Sequence, residues 1–326
     1  MDNLTHSLAG WALGQTGLKR KTRKGLAALI LGANMPDIDV LFGWVPWAPL
    51  ATHRGFTHGL VGGVLLMPPL LAGLLWLLDR WQQKRGAKFR DGSAMHFGWL
   101  VALSYMGAIT HPLLDWQTTY SVQLLSPFSN KWFHNDSLFI IDVWVWTALA
   151  SAIWLSRRRE RHGGNWSRPA IVGLAALVAY ICANGILSAQ AKRTLRDQTS
   201  DGRLEAIYAS PPPVLFWRRE LAWRISGVAP SAMIGWADYE PFRDGSNFQQ
   251  IAKSVPDNIA DPLARRALAA TPEMVTFARW STLPMARIER GRCSARVSFG
   301  DARYGRTVAD NRFGQQAVVA TGAPGC

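Results

Sequence analysis

Residues 59–78 read GLVGGVLLMPPLLAGLLWLL and contain no charged side chain. That is the length of helix needed to cross a ~30 Å hydrocarbon core, roughly 20 residues. Runs of comparable length follow at 97–114, at 138–155 (interrupted only by Asp142) and at 170–191. Between them lie basic clusters: KRKTRK at 19–24, Arg80 to Arg90, and RRRERH at 157–162. Trp76, Trp81, Trp99, Trp116, Trp154 and Trp166 stand near the ends of the runs, as interfacial aromatics do. Buried helices of a large soluble protein are the alternative, but runs this long flanked by arginines are unusual in water. The pattern predicts a polytopic α-helical membrane protein with four transmembrane helices.

The segment before the first run is different. MDNLTHSLAGWALGQTG has no basic stretch ahead of its apolar part, so it is expected to remain as a short amphipathic or membrane-dipping helix instead of a cleaved signal. GLAALILGANMPDIDVLFGWVPW is apolar but broken by Asn34, Pro36, Asp37 and Asp39. Irregular backbone at membrane depth must line a cavity or be buried in protein, so a re-entrant or discontinuous crossing is expected.

The chain carries 36 Lys and Arg against 22 Asp and Glu. Such an excess fits either nucleic-acid binding or basic cytoplasmic loops. Both halves of the chain are basic, but in residues 1–191 the basic residues cluster in the loops between apolar runs, which favours the second, and no nucleic-acid partner is expected. The positive-inside rule then places the 80–90 and 157–168 loops in the cytoplasm and the 115–137 loop outside. His58, His111, Asp115, His134, Asp136 and Asp142 fall at the outer ends of their helices. If 19–24 is cytoplasmic as well, Asp37, Asp39 and His6 reach the same face. Topology was set from Lys and Arg alone, so this convergence is a separate observation.

After residue 191 the apolar runs shorten, and Pro211–Pro213 suggests a rigid entry. VTFARW, MARIER, CSARVSFGDARYG and QAVVATG alternate in the manner of strands, while 255–271 looks like a polar helix. The expected organisation is a helical membrane domain at 1–191 carrying the polar site, and a small extracytoplasmic α+β domain at 192–326. In an oxidising compartment Cys293 and Cys326 either pair or stay free thiols. Cys182, in the fourth run, reads as packing.

Four motifs carry chemistry. THPLLD places His111 and Asp115 four residues apart on one helix face, where they can share a metal or simply hydrogen-bond. NMPDID puts Asp37 and Asp39 in a turn after a proline, suited to one cavity or to a helix cap. HRGFTH offers His53 and His58 around Arg54 and Gly55, and LTHS offers His6 on an apolar face. Ionisable groups in membrane spans are costly and mark function by default. Imidazole and carboxylate ligands suit zinc first, with manganese or iron as alternatives. The candidate metal ligands are therefore His6, Asp37, Asp39, His53, His58, His111 and Asp115. Seven exceed one tetrahedral shell, so two ions are expected, with a third depending on His134. Arg54 is a candidate anion clamp, and Asp37 or Asp142 a candidate proton-handling group; Asp142 can equally cap the fourth helix.

Thr5–His6, NMPDID, HRGFTH, THPLLD, SPFSN, FIIDVWVW, PPPVLFWR and DARYG together resemble the YdjM-type, LexA-binding, inner-membrane family regarded as metal-dependent hydrolases. The resemblance covers nearly the whole chain. One position departs from it: Gly59 stands where the pattern has serine. More distantly, the order His6, Asp39, His53, His111, Asp115 is similar to that of zinc-dependent phospholipase C. The resemblance implies a bacterial inner-membrane location and a hydrolase cleaving a phosphoester or other ester of a lipid-linked or small substrate with metal-activated water. Two other readings stay open: a metal or proton transporter using the same ligands, and a regulatory membrane protein of the LexA-binding type. The sequence identifies no protein partner.

Overall fold

The structure is a computed structural model that describes residues 1–42, 53–89, 93–199, 203–227, 232–242, 248–322 and 326. Residues 43–52, which close the broken apolar segment, and Arg90 of the second basic cluster lie outside them. Two compact units emerge: Met1–Phe42 with His53–Gly185, and, within the described residues, Ile186–Cys326. The border falls inside one helix that continues past the expected boundary at residue 191 to Gln198.

The first unit opens with α1 (Asn3–Gln15), whose N-cap Asp2 accepts from the Leu4 and Thr5 amides. Thirteen residues rise only about 20 Å, too short to cross a bilayer. A 3-10 turn (Leu18–Arg20) leads to α2 (Gly25–Asn34), which runs into a 3-10 segment (Met35–Phe42). The broken crossing is thus a short helix with a tighter extension, and that extension carries Asp37 and Asp39. A second 3-10 turn (Phe56–His58) precedes a π-helical stretch (Leu60–Leu66) continuous with α3 (Met67–Lys84). Then come α4 (Phe97–Asp115), α5 (Val143–Arg161) and α6 (Ser167–Gln198).

Among the described residues, three helices are long and apolar enough to cross a membrane: Leu60–Lys84, Phe97–Asp115 and Ser167–Gln198. The fourth expected span, 138–155, is not among them. Its helix starts only at Val143, behind the Asp142 cap, and its apolar part ends at Leu155 before the arginine cluster.

α2 lies against α1 and α4 with almost no side chain between the backbones. A Cβ on Gly10 or Gly107 would meet the Leu29 carbonyl at 2.7 or 2.4 Å, and one on Gly32 the Ser104 carbonyl at 2.7 Å. Small residues at a crossing let helices approach this closely. The close approach brings the α1 and α4 histidines together.

Charge separates along the unit. Lys19 and Arg20 bind Glu160 at 2.5 and 3.0 Å, and Arg23 binds Asp79 at 2.7 Å, so the 19–24, 79–85 and 157–161 regions gather at one end. His6, Asp37, Asp39, His53, His58, His111 and Asp115 gather away from that end.

In the second unit a four-stranded antiparallel meander is formed by β1 (Arg203–Ser210), β2 (Arg219–Ser226), β3 (Met233–Tyr239) and β4 (Phe248–Pro256). Helices α7 (Pro262–Leu268) and α8 (Pro272–Trp280) precede a three-stranded antiparallel sheet of β5 (Pro284–Arg290), β6 (Ser294–Asp301) and β7 (Gln315–Ala320). VTFARW, expected as a strand, is the end of α8. Thr271 caps that helix on the Met274 amide, Pro272 opens it, and Met274, Phe277 and Trp280 bury one face at helical spacing. The polar helix expected over 255–271 shrinks to α7. Pro211–Pro213 connects β1 to β2 and is not the domain's entry. Cys293 and Cys326 form a disulfide, and Cys182 is exposed instead of packed.

Candidate metal centre

Helix α4 supplies His111 and Asp115 on one face, as their spacing predicts, and both are fully buried. His111 Nδ1 lies 2.6 Å from the Ala33 carbonyl oxygen. A carbonyl only accepts, so Nδ1 carries the proton and the Nε2 lone pair points into the cluster. The His58 Nε2 atom sits 3.0 Å from it. Two nitrogen lone pairs do not face each other at that distance unless a proton or a cation lies between them.

Carboxylates complete the arrangement. Asp37 Oδ1 is 3.2 Å from His58 Nε2 and 3.3 Å from His111 Nε2. Asp115 Oδ2 is 3.4 Å from each of the same two nitrogens. A tetrahedral zinc ion with ligands at ~2.0–2.1 Å sets neighbouring ligand atoms about 3.3–3.4 Å apart. The observed separations, 3.0 to 3.4 Å, are close to that edge. His58 and His111 thus stand at ligand spacing from each other, from Asp37 and from Asp115, with the two carboxylates in separate ligand groups.

Donor atoms continue on both sides of this set. Among the described residues, three groups bring ligand atoms within 4.8 Å of one another: His6 with His111 and Asp115, Asp37 with His58 and His111, and Asp39 with His53 and His58. His111 and His58 each belong to two groups, so the groups run as a chain. His6 stacks on His111 with ring centroids 3.7 Å apart, and neither of its ring nitrogens has a hydrogen-bond partner. Its nearest carboxylate oxygen, Asp115 Oδ1, is 3.5 Å away. A fully buried imidazole without partners costs roughly 1–3 kcal/mol or more, so these orphaned nitrogens fit an ion as well.

The opposite flank is better satisfied. Asp39 accepts from His53 Nδ1 at 2.9 Å, Thr57 Oγ1 at 2.7 Å and the Arg54 amide at 3.3 Å. Burial alone would raise its pKa, but the His53 hydrogen bond and nearby His58 hold it below the ordinary carboxylate range. Burial lowers the His58 pKa, which favours the neutral imidazole that can ligate. His53, 24% exposed, sits at the mouth of the cluster.

Arg54 is buried at 1% exposure and has φ of 64°, a left-handed conformation that costs a non-glycine residue about 1 kcal/mol. Its guanidinium reaches Asp115 Oδ1 at 3.1 Å, Thr118 Oγ1 at 2.9 Å and the Met1 carbonyl at 3.4 Å, and lies over the Tyr120 ring. The Met1 amino group also lies against Asp115 Oδ1. Arg54 thus braces a ligand carboxylate, and its Nε–H lacks a partner.

Two sequence candidates stand apart. Asp142 is committed to its helix, accepting from the Trp144 and Val145 amides at 3.0 and 3.1 Å and from the Tyr180 hydroxyl at 3.2 Å. An exposed helix start needs such a cap, and among the described residues no hydrogen bond links Asp142 to a cluster histidine. His134 pairs with Asp136 at 2.8 Å and joins none of the three ligand groups. Conversely, Thr57, Thr118 and the Ala33 carbonyl were not foreseen. Thr57 and Thr118 sit in or just past HRGFTH and THPLLD, but nothing local marks Ala33.

Gly59 also finds a reason. A Cβ there would come 2.6 Å from the Ser126 carbonyl oxygen and 2.7 Å from the Ser126 Cβ. The 116–142 loop packs onto this turn through Leu60 N to Leu124 O and Gln123 N to Arg54 O, so serine at 59 would displace it.

Apolar helices with membrane-spanning length and a buried imidazole–carboxylate cluster define a membrane protein with a candidate metal site. The chain belongs to the YdjM inner membrane protein family, which it matches over residues 1–191. It is also similar to the uncharacterized protein YfhP of Bacillus subtilis (strain 168), at 27% identity over 225 residues, covering 65% of this chain and 62% of the relative. The match thus spans less than two thirds of that relative's length. No solved structure matches the chain.

Proposed function

We propose that this protein is a membrane-bound, metal-dependent hydrolase that cleaves a phosphoester or other ester bond in a lipid-linked substrate. The observation that carries the reading is the 3.0–3.4 Å spacing of the His58 and His111 nitrogens from each other and from Asp37 and Asp115, continued by the partnerless His6. Zinc, the ion best suited to this donor set, would supply Lewis acidity and a water made acidic enough to attack near neutral pH.

The chain's own groups do the rest. Ala33 and Thr57 fix the imidazole orientations, and Arg54 holds Asp115 in place while offering Nε–H toward an anionic group. The His53–Asp39 pair at the mouth is placed to carry a proton between the cluster and solvent, a role Asp142 cannot fill from its cap. The distant resemblance of the order His6, Asp39, His53, His111, Asp115 to zinc-dependent phospholipase C is what suggests a phosphoester, and a site among apolar helices favours a lipid-linked one. The basic end of the first unit is assigned to the cytoplasm by the positive-inside rule, which puts the cluster and the disulfide-bearing second unit outside. In this reading α5 is a fourth crossing whose terminal arginines reach the headgroups.

The test is elemental analysis of the purified full chain beside Asp39→Ala and His111→Ala, followed by screening on phospholipids and generic phosphodiesters. Bound zinc in the parent, reduced in both variants together with hydrolysis, is expected. Full metal content in both variants would sink the proposal.

A further inference from the structure

Beside the arginine cluster, α1 and α5 leave a groove of about 510 Å³, within the range of small-molecule sites, ~300–1,000 Å³. Its apolar wall is built from Leu8, Trp11, Ile153 and Trp154. Arg157, Arg158 and Arg161 line the same groove, and no carboxylate does. The Arg157 guanidinium lies 5.4 Å over the Trp11 ring and that of Arg158 5.5 Å over the Trp154 ring. Such stacking orients the guanidiniums without consuming their donors.

Neighbouring cations show what distinguishes these three. Lys19 and Arg20 are matched by Glu160, and Arg23 by Asp79. Glu160 lies between Arg158 and Arg161 in sequence, yet its carboxylate is taken by the first pair. Among the described residues, none of the groove arginines has an ion-pair partner. The groove therefore joins an apolar slot to an unneutralised guanidinium cluster at the basic end of the unit.

We propose that this groove is a binding site for one anionic glycerophospholipid: an acyl chain lies against Leu8, Trp11 and Ile153, and the phosphate meets Arg157, Arg158 and Arg161. Charge complementarity selects an anionic headgroup over a zwitterionic one, and the apolar wall selects a lipid over a free phosphate. The site is separate from the His–Asp cluster and does not depend on metal or on hydrolysis.

Native mass spectrometry of the full chain, purified in detergent and equilibrated with phosphatidylglycerol and phosphatidylethanolamine, tests it. One phosphatidylglycerol is expected to be retained about tenfold over phosphatidylethanolamine. The Arg157→Gln, Arg158→Gln, Arg161→Gln triple variant should lose that preference, and Trp11→Ala should weaken retention of both lipids. An Arg80→Gln, Arg85→Gln variant, which removes cations stacked on tryptophan outside the groove, should retain it. Equal retention of both lipids by the parent, equal loss in the control, or displacement of phosphatidylglycerol by inorganic phosphate alone would each overturn the site. If the triple variant does not fold, a photoactivatable phosphatidylglycerol on the parent decides: crosslinks at Trp11 or Trp154 support the groove, and crosslinks only elsewhere refute it.

Discussion

Asp115 and Asp301 are both fully buried carboxylates, one in each unit, and their surroundings differ. Asp301 is met from all sides: by Arg303 Nε and backbone N at 2.8 and 3.0 Å, by a second guanidinium nitrogen at 2.8 Å, and by Ser281 Oγ at 2.6 Å. Tyr208, Trp280 and Tyr304 lie around that guanidinium. Asp115 has Arg54 and the Met1 amino group on one oxygen, while its other oxygen makes no hydrogen bond and faces two imidazoles at 3.4 Å. A buried charge that is fully matched holds a fold in one arrangement. A buried cluster of acceptors with orphaned atoms is arranged for something else that binds there.

The largest expected difference follows from removing one member of each site. If the proposed function holds, His111→Ala should reduce bound metal to background and abolish hydrolysis, read by elemental analysis and turnover. Arg303→Met should leave metal content unchanged and destabilise the second unit by about 3–5 kcal/mol, because Asp301 is left buried and unpaired. If Arg303→Met also strips metal, the two sites are not of different kinds.

Replacing both partners sharpens the contrast. Asp301→Leu with Arg303→Met should be close to neutral in thermal unfolding, since a matched pair offsets its own desolvation. Arg54→Met should lower metal affinity about 10–100-fold, the usual effect of removing a group that orients a ligand. Unchanged metal affinity would return Arg54 to the role of substrate clamp alone.

Acid provides a milder test. Burial alone would raise the Asp301 pKa, but Arg303 holds it below 3.8. A carboxylate held low contributes stability above its unfolded pKa and loses it as pH falls, so unfolding of the full chain by near-UV circular dichroism should show this contribution intact down to about pH 4 and declining below. Among single replacements the smallest effect is that of Asp142→Ala, which should cost about 0.5–2 kcal/mol as a lost cap and leave metal content untouched. Loss of metal there would restore Asp142 to the site.

The parts of the site visible in the chain were those governed by local geometry. Four residues on one helix put His111 and Asp115 on one face whatever surrounds them. HRGFTH and NMPDID announced themselves by placing ionisable groups against apolar runs. The role of Arg54 was not readable, because its partners Asp115 and Thr118 arrive from the end of α4 and the loop after it. Asp142 was ambiguous for the converse reason: a cap and a catalytic carboxylate look alike until the helix start is placed. VTFARW misled because its apolar spacing suits a strand as well as a helix, and the preceding Thr271–Pro272 start signal decided between them.

The sequence by itself determined that apolar helices of membrane length alternate with basic loops, and that the histidines and aspartates of the cluster lie away from those loops. Hydrophobic length and charge placement act through each segment's own solvent preference and need no partner. Tertiary structure alone decided which donors meet. His6 stacks on His111 only because glycines let α1, α2 and α4 approach closely, and the Ala33 carbonyl fixes an imidazole 78 residues away. A ligand set is a matter of tenths of an ångström between segments remote in the chain, and those distances are set by packing.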